Sequence, residues 1–156
     1  NFNLSVFFQG VSGNKIYNAT RTVTEGMVRF FNSSTTVLDA WTPTNTNTDV
    51  PRAILGDPNE NTRPSTRFLK DGSYLSLKNI KLSYNVHFIS LQSLTKGTIS
   101  SFSIYVSAQN LATITKYTGL DPEVGNRTPG TSLTNGVDYA VYPQPKSYQV
   151  GINVNF

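Results

Sequence analysis

The last ten residues, 147–156, read SYQVGINVNF and decide the fold. Apolar side chains stand at every second position of this stretch, and small or amide-bearing residues stand between them. Because successive side chains of a strand point to opposite faces, this spacing predicts a strand with one apolar and one polar face. The apolar positions are Tyr148, Val150, Ile152, Val154 and Phe156.

Three earlier segments alternate in the same way and predict three more strands. They cover Phe2–Gln9, a longer stretch from about Phe68 to Phe88, and Phe102–Gln109. Together with the last ten residues they indicate an antiparallel all-β fold of about four strands. The apolar positions predicted to form one face are Phe2, Leu4, Val6, Phe8, Ile80, Leu82, Tyr84, Val86, Phe102, Ile104 and Val106.

Two local features depart from the simple alternation. Leu75 and Leu77 are out of phase with the later apolar positions of their segment, and a β-bulge near Lys78–Asn79 would account for this slip of one residue. Thr24–Phe31 and Ile89–Leu94 are each long enough for a short helix. The sequence requires no helix longer than one or two turns.

The connections between the predicted strands differ greatly in length. Gly10 to about Thr66 and Gly119 to about Tyr142 are long, polar and rich in turn residues, whereas Ser90 to Thr98 is short. In an antiparallel sheet this order places both long connections at one end and the short one at the other. Membrane β-barrels have this asymmetry, with long extracellular loops and short periplasmic turns.

The composition excludes several classes of function. Of the 156 residues, only 14% are charged, against about 25% in an average soluble domain, and about a third are Ser, Thr or Asn. No cysteine is present, His87 is the only histidine, and the 13 Lys and Arg form no run that would bind nucleic acid. We therefore expect neither a cofactor nor a metal site, and no nucleic-acid partner. The first residues lack the pattern of a signal peptide.

The alternation fits a membrane barrel and a soluble β-sandwich equally well. Two details favour the barrel: the polar faces carry very few charges, and aromatic residues stand towards the predicted strand ends, as an interfacial girdle requires. The terminal Phe156 after an uninterrupted alternation also resembles the C-terminal signal by which outer-membrane barrels are recognised for assembly. The girdle candidates are Tyr74, Tyr84, Phe88, Tyr117 and Tyr148.

Seven segments stand in this order along the chain: Gly10–Asn18, Ala40–Pro43, Asn45–Arg52, Phe68–Ile80, Val106–Leu111, Thr115–Glu123 and Tyr142–Pro145. Together, in this order and spacing, they resemble the SusC/RagA-like TonB-dependent outer-membrane transporters. The resemblance implies a large barrel of the 22-stranded, plugged type, of which residues 1–156 form the C-terminal part without the plug and the earlier strands. It also implies outer-membrane lipid, a SusD-like surface lipoprotein, a TonB complex acting through the plug, and a glycan or peptide substrate as partners.

The resulting prediction is a segment of an energy-coupled nutrient importer in the outer membrane of a Gram-negative bacterium, with a periplasmic C-terminus. The alternative is a secreted β-sandwich that binds carbohydrate through Trp41. We expect no enzyme, since the chain offers no nucleophile paired with a base. Trp41, Asp49 and Arg52 are candidates for substrate or partner contact in the first long loop.

Acidic residues of the long loops have two interpretations. Asp121 and Glu123 resemble a pair of glycosidase carboxylates, but they flank a proline in a turn, where ordering of the loop is the better explanation. Asp57 to Glu60 and the pair Asp49 and Arg52 fit the same loop-ordering role. Contact with a calcium ion is the alternative, since acidic oxygens are suitable ligands, but their spacing does not match an EF-hand.

Overall fold

The computed structural model describes residues 1–28, 32–86, 96, 98–124 and 135–156. The chain divides into two compact units. The first comprises residues 1–12, 73–116 and 143–156, and the second comprises residues 13–72 and 117–142. Within the described residues, no helix has the length and apolarity needed to cross a membrane.

The described elements are mostly strands, with one α-helix and two short 3₁₀ turns. The 3₁₀ turns cover Thr35–Asp39 and Thr66–Phe68. In chain order the other elements are β1 (Phe2–Val11), β2 (Lys15–Asn18), α1 (Ala19–Thr24), β3 (Leu69–Asp71), β4 (Tyr74–Asn85), β5 (Ser101–Thr115), β6 (Val137–Asp138) and β7 (Ser147–Asn155).

The first unit is a four-stranded antiparallel sheet with the order β1-β4-β5-β7. Each of the four strands predicted from the alternation is present. The connection after β1 and the connection after β5 leave the sheet at the same end, because Val11 pairs with Tyr74 and Tyr74 pairs with Thr115. The predicted placement of the two long connections at one end is therefore confirmed.

The strand register brings the predicted apolar positions into continuous rows across the sheet. Leu4 pairs with Leu82, Leu82 with Val106, and Val106 with Val150, so one row crosses all four strands. A second row runs through Phe2, Tyr84, Ile104 and Ile152. Paired residues of neighbouring strands lie on the same side of a sheet, so these rows form one apolar face.

The apolar face has no cover within the described residues. Leu4 is 61% exposed and Val150 is 79% exposed, and Phe156, just beyond β7, is also exposed. A β-sandwich would bury such a face against a second sheet. Contact of this face with water would be unfavourable, because each square ångström of apolar surface left in water costs about 25 cal/mol.

The predicted bulge near Lys78–Asn79 is confirmed. The register between β4 and β5 shifts between Leu77 and Asn79, on either side of Lys78. Opposite it, Asn110 has a φ of 52°, and its side chain accepts a hydrogen bond from the Lys78 Nζ at 3.3 Å. The shift returns Leu75 and Leu77 to the apolar face, since Leu77 pairs with Phe8 and Ala112.

Two predicted element boundaries are wrong. The segment from Phe68 to Phe88 is not one strand, because Leu69–Asp71 pairs with β2 in the second unit, and β4 begins only at Tyr74. The break falls at Gly72, whose N–H bonds to the Asn14 carbonyl at 3.0 Å and where a Cβ atom would come within 2.6 Å of Ile16. The strand ends at Asn85, although the Val86 N–H still bonds to the Phe102 carbonyl at 3.0 Å.

The predicted helix at Thr24–Phe31 is also wrong over its described part. The helix, α1, instead begins at Ala19 and ends at Thr24, because the Asn18 side chain caps it by accepting a hydrogen bond from the Arg21 N–H at 3.0 Å. Residues 29–31, the segment Ile89–Leu94, His87 and Phe88 lie outside the described residues.

The second unit holds the apolar core of the described chain. Its three-stranded sheet has the order β3-β2-β6, with β2 antiparallel to β3 and parallel to β6. Ile16 and Phe68 are fully buried there, and the Phe68 ring meets that of Tyr17 edge-on at 6.2 Å. The long connections, expected from the sequence to be loops, therefore fold together.

Candidate functional site

A buried carboxylate organises one side of the second unit. Glu25 follows α1, is 3% exposed, and receives two N–H groups from Arg21 one helical turn earlier. Arg67 donates to the same carboxylate at 3.0 Å, and the Thr36 hydroxyl donates at 3.2 Å. Three separate parts of the first long connection thus converge on Glu25.

A second buried carboxylate joins the two long connections. Asp138, in β6, is 1% exposed and accepts a hydrogen bond from the Tyr117 hydroxyl at 2.6 Å and from the Val141 N–H at 3.1 Å. Burial and the hydrogen bond to this carboxylate raise the pKa of Tyr117, so the phenol stays protonated as the donor. The Thr20 hydroxyl accepts from the Ala140 N–H at 2.6 Å and reinforces the junction.

Tyr117 corrects one of the predictions from the sequence. It was expected in an aromatic girdle at a strand end, but it is buried and hydrogen-bonded to Asp138. Tyr84 and Tyr148 are exposed on the apolar face of the first unit, in rows with Phe2 and Ala108. Their position remains compatible with a girdle.

A cavity of about 420 Å³ lies in the second unit between these two carboxylates. One face of the small sheet contributes Asn18 and Asp138, which pair across β2 and β6, and Lys70 of β3, which pairs with the neighbouring Ile16. The other walls come from α1 and from three further segments. The lining residues are Asn18, Thr20, Arg21, Thr24, Glu25, Ser34, Thr36, Lys70, Thr118, Gly119, Leu120 and Asp138.

The candidate contact residues predicted from the sequence lie elsewhere. Trp41 is 36% exposed, and its backbone N–H bonds to the Val50 carbonyl at 2.9 Å, which holds the loop closed. Asp49 and Arg52 are exposed and form no ion pair with each other. None of the three lines the 420 Å³ cavity. Their contact with substrate or a partner stays a prediction.

The loop-ordering explanation of the other acidic residues is supported. Asp121 accepts a hydrogen bond from the Glu123 N–H at 2.8 Å, which closes the turn over Pro122. Asp57 accepts four hydrogen bonds from the backbone and side chains of Asn61 and Thr62, at 2.9 to 3.1 Å. Among the described residues, no group of three or more acidic or histidine side chains is arranged to hold a metal ion.

Asp57 leads to a prediction on pH. Burial alone would raise its pKa, but the four hydrogen bonds outweigh this effect and hold the pKa below the ordinary value of 3.8. The loop is therefore fully stabilised above pH 4 and loses this contribution as the pH falls through the lowered pKa.

We expect Asp57→Ala to increase hydrogen exchange at Asn61 and Thr62 about tenfold at pH 7, because charged hydrogen bonds are lost. Asp49→Ala, on an exposed carboxylate, is the control, and equal effects of both variants would contradict the prediction.

The polar face of the four-stranded sheet has a single charged side chain among its paired positions. Lys81 places its ammonium over the Tyr105 ring, 4.3 Å from the centroid. The same ring lies against Gly151, where a Cβ atom would come within 2.5 Å of it. A larger residue at position 151 would displace the ring, which explains the glycine in the otherwise regular last strand.

The alternating faces and the exposed apolar rows define the class of this chain, a segment of the wall of a transmembrane β-barrel. Known proteins identify the family. TonB-dependent receptor P3 of Formosa agariphila is 38% identical over 159 residues, and the match covers 100% of this chain and 15% of that protein. The chain belongs to the SusC/RagA type of TonB-dependent receptors, of which it forms a barrel segment.

Further comparisons agree with this assignment. TonB-dependent receptor SusC of Bacteroides thetaiotaomicron is 29% identical over 110 residues, covering 70% of this chain and 10% of that protein. The solved RagAB peptide importer in its closed-closed state aligns over 99% of this chain and 16% of that chain, with a TM-score of 0.77 and 33% identity. Its open-open state aligns equally well, with a TM-score of 0.77. No protein-family model matches the chain.

The sequence did not single out Glu25 or Asp138, and it assigned Tyr117 to an aromatic girdle. One local signal for Glu25 was available: Arg21 and Glu25 stand four residues apart after Asn18, a good helix-capping residue. No local signal marks Asp138, because its partners Tyr117 and Thr20 are 21 and 118 residues away along the chain.

Proposed function

We propose that this chain helps to close the wall of an outer-membrane importer of nutrients such as oligosaccharides or peptides. The observation that carries the proposal is the uncovered apolar face, which is continuous over all four strands of the sheet. Lipid is the partner that such a face fits, while the nearly uncharged opposite face fits a polar lumen. The similarity to SusC and to the RagAB peptide importer supports import as the activity.

The rest of the machinery belongs to the longer protein. The chain spans 10 to 16% of the length of the relatives it matches, so most of the barrel and the plug would lie outside it. Its two edge strands, β1 and β7, each have one side left to pair, and every backbone group in a bilayer needs a partner. We therefore assign residues 1–156 to the C-terminal part of the barrel domain. A TonB complex acting through the plug and a SusD-like surface lipoprotein complete the proposal.

The proposal gives each part of the chain a role. The apolar rows, with Val86 and Val154 included, face lipid, and the last strand to Phe156 acts as the assembly signal at the periplasmic end. The two long connections are then extracellular loops of the barrel, so that Trp41, Asp49 and Arg52 are available to a substrate or to the lipoprotein. The position of both long connections at one end of the sheet supports this orientation.

Cell fractionation tests this proposal. The full-length protein that contains this chain should sediment with the outer membrane, resist extraction with sodium carbonate, and require detergent for solubility. Protease added outside intact cells should cut within the second unit and leave the four-stranded sheet of the first unit protected. Recovery as a water-soluble monomer that binds sugar through Trp41 would instead support the secreted carbohydrate-binding alternative.

A further inference from the structure

We propose that the 420 Å³ cavity of the second unit binds an acidic sugar, with the sugar carboxylate at the ammonium of Lys70. The inference rests on the proposed import function in that it names the class of solute that the extracellular side would capture. The binding itself requires only the folded second unit. The volume of the cavity falls within the range of about 300 to 1,000 Å³ that is usual for binding sites of small molecules.

The carboxylate and amide oxygens of the cavity already accept hydrogen bonds from the protein. Both carboxylate oxygens of Glu25 accept hydrogen bonds from Arg21, and one of them also accepts a hydrogen bond from Arg67. Both oxygens of Asp138 are bonded as well, to the Tyr117 hydroxyl and the Val141 N–H. The Asn18 side-chain oxygen caps α1. A cation entering the cavity would therefore find no carboxylate oxygen without a donor.

The donor groups of the cavity are in surplus. Lys70 is half-buried, and within the described residues its ammonium has neither an ion pair nor a hydrogen bond. The Thr118 hydroxyl also lines the cavity without a hydrogen-bonded partner there. Glu25 forms ion pairs with both Arg21 and Arg67, so this group of three side chains carries a net charge of +1. The ligand that complements this surplus carries an anionic acceptor, and a carboxylate satisfies an ammonium well.

The remaining wall favours a sugar over a peptide as the carrier of the carboxylate. The Thr24 hydroxyl donates to the Thr20 carbonyl at 3.1 Å, which leaves its oxygen lone pairs to accept a hydrogen bond. The Ser34 oxygen at the same cavity already accepts the N–H and the hydroxyl of Thr36, which leaves its own O–H as a donor. One hydroxyl that can accept and one that can donate, beside one ammonium, suit a ligand with several O–H groups and one carboxylate. Leu120 supplies an apolar surface for the C–H groups of a sugar ring.

Calorimetric titration of the full-length protein in detergent tests the inference. The ligands are glucuronate, glucose, which lacks the carboxylate, and acetyl-glycyl-glycine, which has a carboxylate but no hydroxyl groups. We expect glucuronate to bind most tightly, and Lys70→Met to weaken it about tenfold, because a charged hydrogen bond is lost. Lys15→Met is the matched control: Lys15 lies in the same unit, is exposed, and does not line the cavity. It should leave glucuronate binding unchanged.

The three ligands separate the outcomes. Equal binding of glucose and glucuronate, or equal effects of Lys70→Met and Lys15→Met, overturns the inference. Tighter binding of acetyl-glycyl-glycine than of glucuronate overturns the assignment of a sugar. Hydrogen exchange of the Lys70→Met protein shows that the unit is folded, so that loss of binding is attributable to the missing ammonium. Each of these outcomes leaves the import proposal intact, because that proposal depends on fractionation and on the apolar face of the sheet.

Discussion

Replacing Glu25 with glutamine is expected to destabilise the second unit by about 3 to 5 kcal/mol, the usual cost of leaving a buried charge without its partner. The carboxylate is 3% exposed and is bound by Arg21 and Arg67. Glutamine has nearly the same shape but no charge, so two guanidinium groups would stay close together without compensation. Hydrogen exchange of the β2 and α1 amides in the full-length protein should accelerate at least a hundredfold, since each tenfold corresponds to about 1.4 kcal/mol.

Two further variants make this prediction specific. Glu60→Gln makes the same chemical change at an exposed position and should leave exchange unchanged. In the double variant Glu25→Gln/Arg67→Met, one of the two uncompensated charges is removed, so exchange should be slower than in Glu25→Gln alone. If Glu25→Gln behaves like Glu60→Gln, the carboxylate does not organise the unit and the prediction is wrong.

The four-stranded sheet could be predicted from sequence because its determinants are local. A period of two fixes the face of every side chain, and pairing of strands preserves that face from one strand to the next. The phase change between Leu77 and Ile80 even located the bulge, since a strand with one apolar face must insert a residue to keep it. The same local reasoning failed at Gly72, where a contact with Ile16 and Asn14 ends one element and separates it from the next.

The second unit could not be predicted because polar contacts between distant residues hold it together. Its segments have little periodicity, and Ile16, Phe68 and Val50 are isolated apolar residues in a sequence rich in Thr and Asn. The Ala140 N–H finds the Thr20 hydroxyl 120 residues away. Such pairs leave no pattern in a single sequence. The cavity is a consequence of these pairs, so it was also missed, and the prominent Trp41 attracted the functional interpretation instead.

The assignment of lipid to the apolar face predicts opposite results for two neighbouring residues of β5. Val106 lies in the row that crosses the sheet from Leu4 to Val150, and Ser107 lies on the polar face, paired with Lys81 and Gln149. An arginine on the lipid face of a barrel costs about 2 to 4 kcal/mol at the bilayer midplane, whereas an arginine on the lumen side keeps its water. Val106→Arg should therefore reduce the folding equilibrium of the full-length protein in phosphatidylcholine vesicles at least about thirtyfold.

Ser107→Arg is the matched control, because it introduces the same side chain one position along the same strand. It gives up a long hydrogen bond of 3.4 Å to Gln149 and places a second cation opposite Lys81 on the polar face, so we expect a change of less than about fivefold. Urea titration in vesicles measures both equilibria, and the heat-modifiable mobility of the folded barrel on gels reports assembly in cells. If the apolar rows faced water instead, the order would reverse, because the arginine at position 106 would keep its water and the one at position 107 would lie in lipid. The relative tolerance of these two positions thus decides which face of the sheet meets lipid.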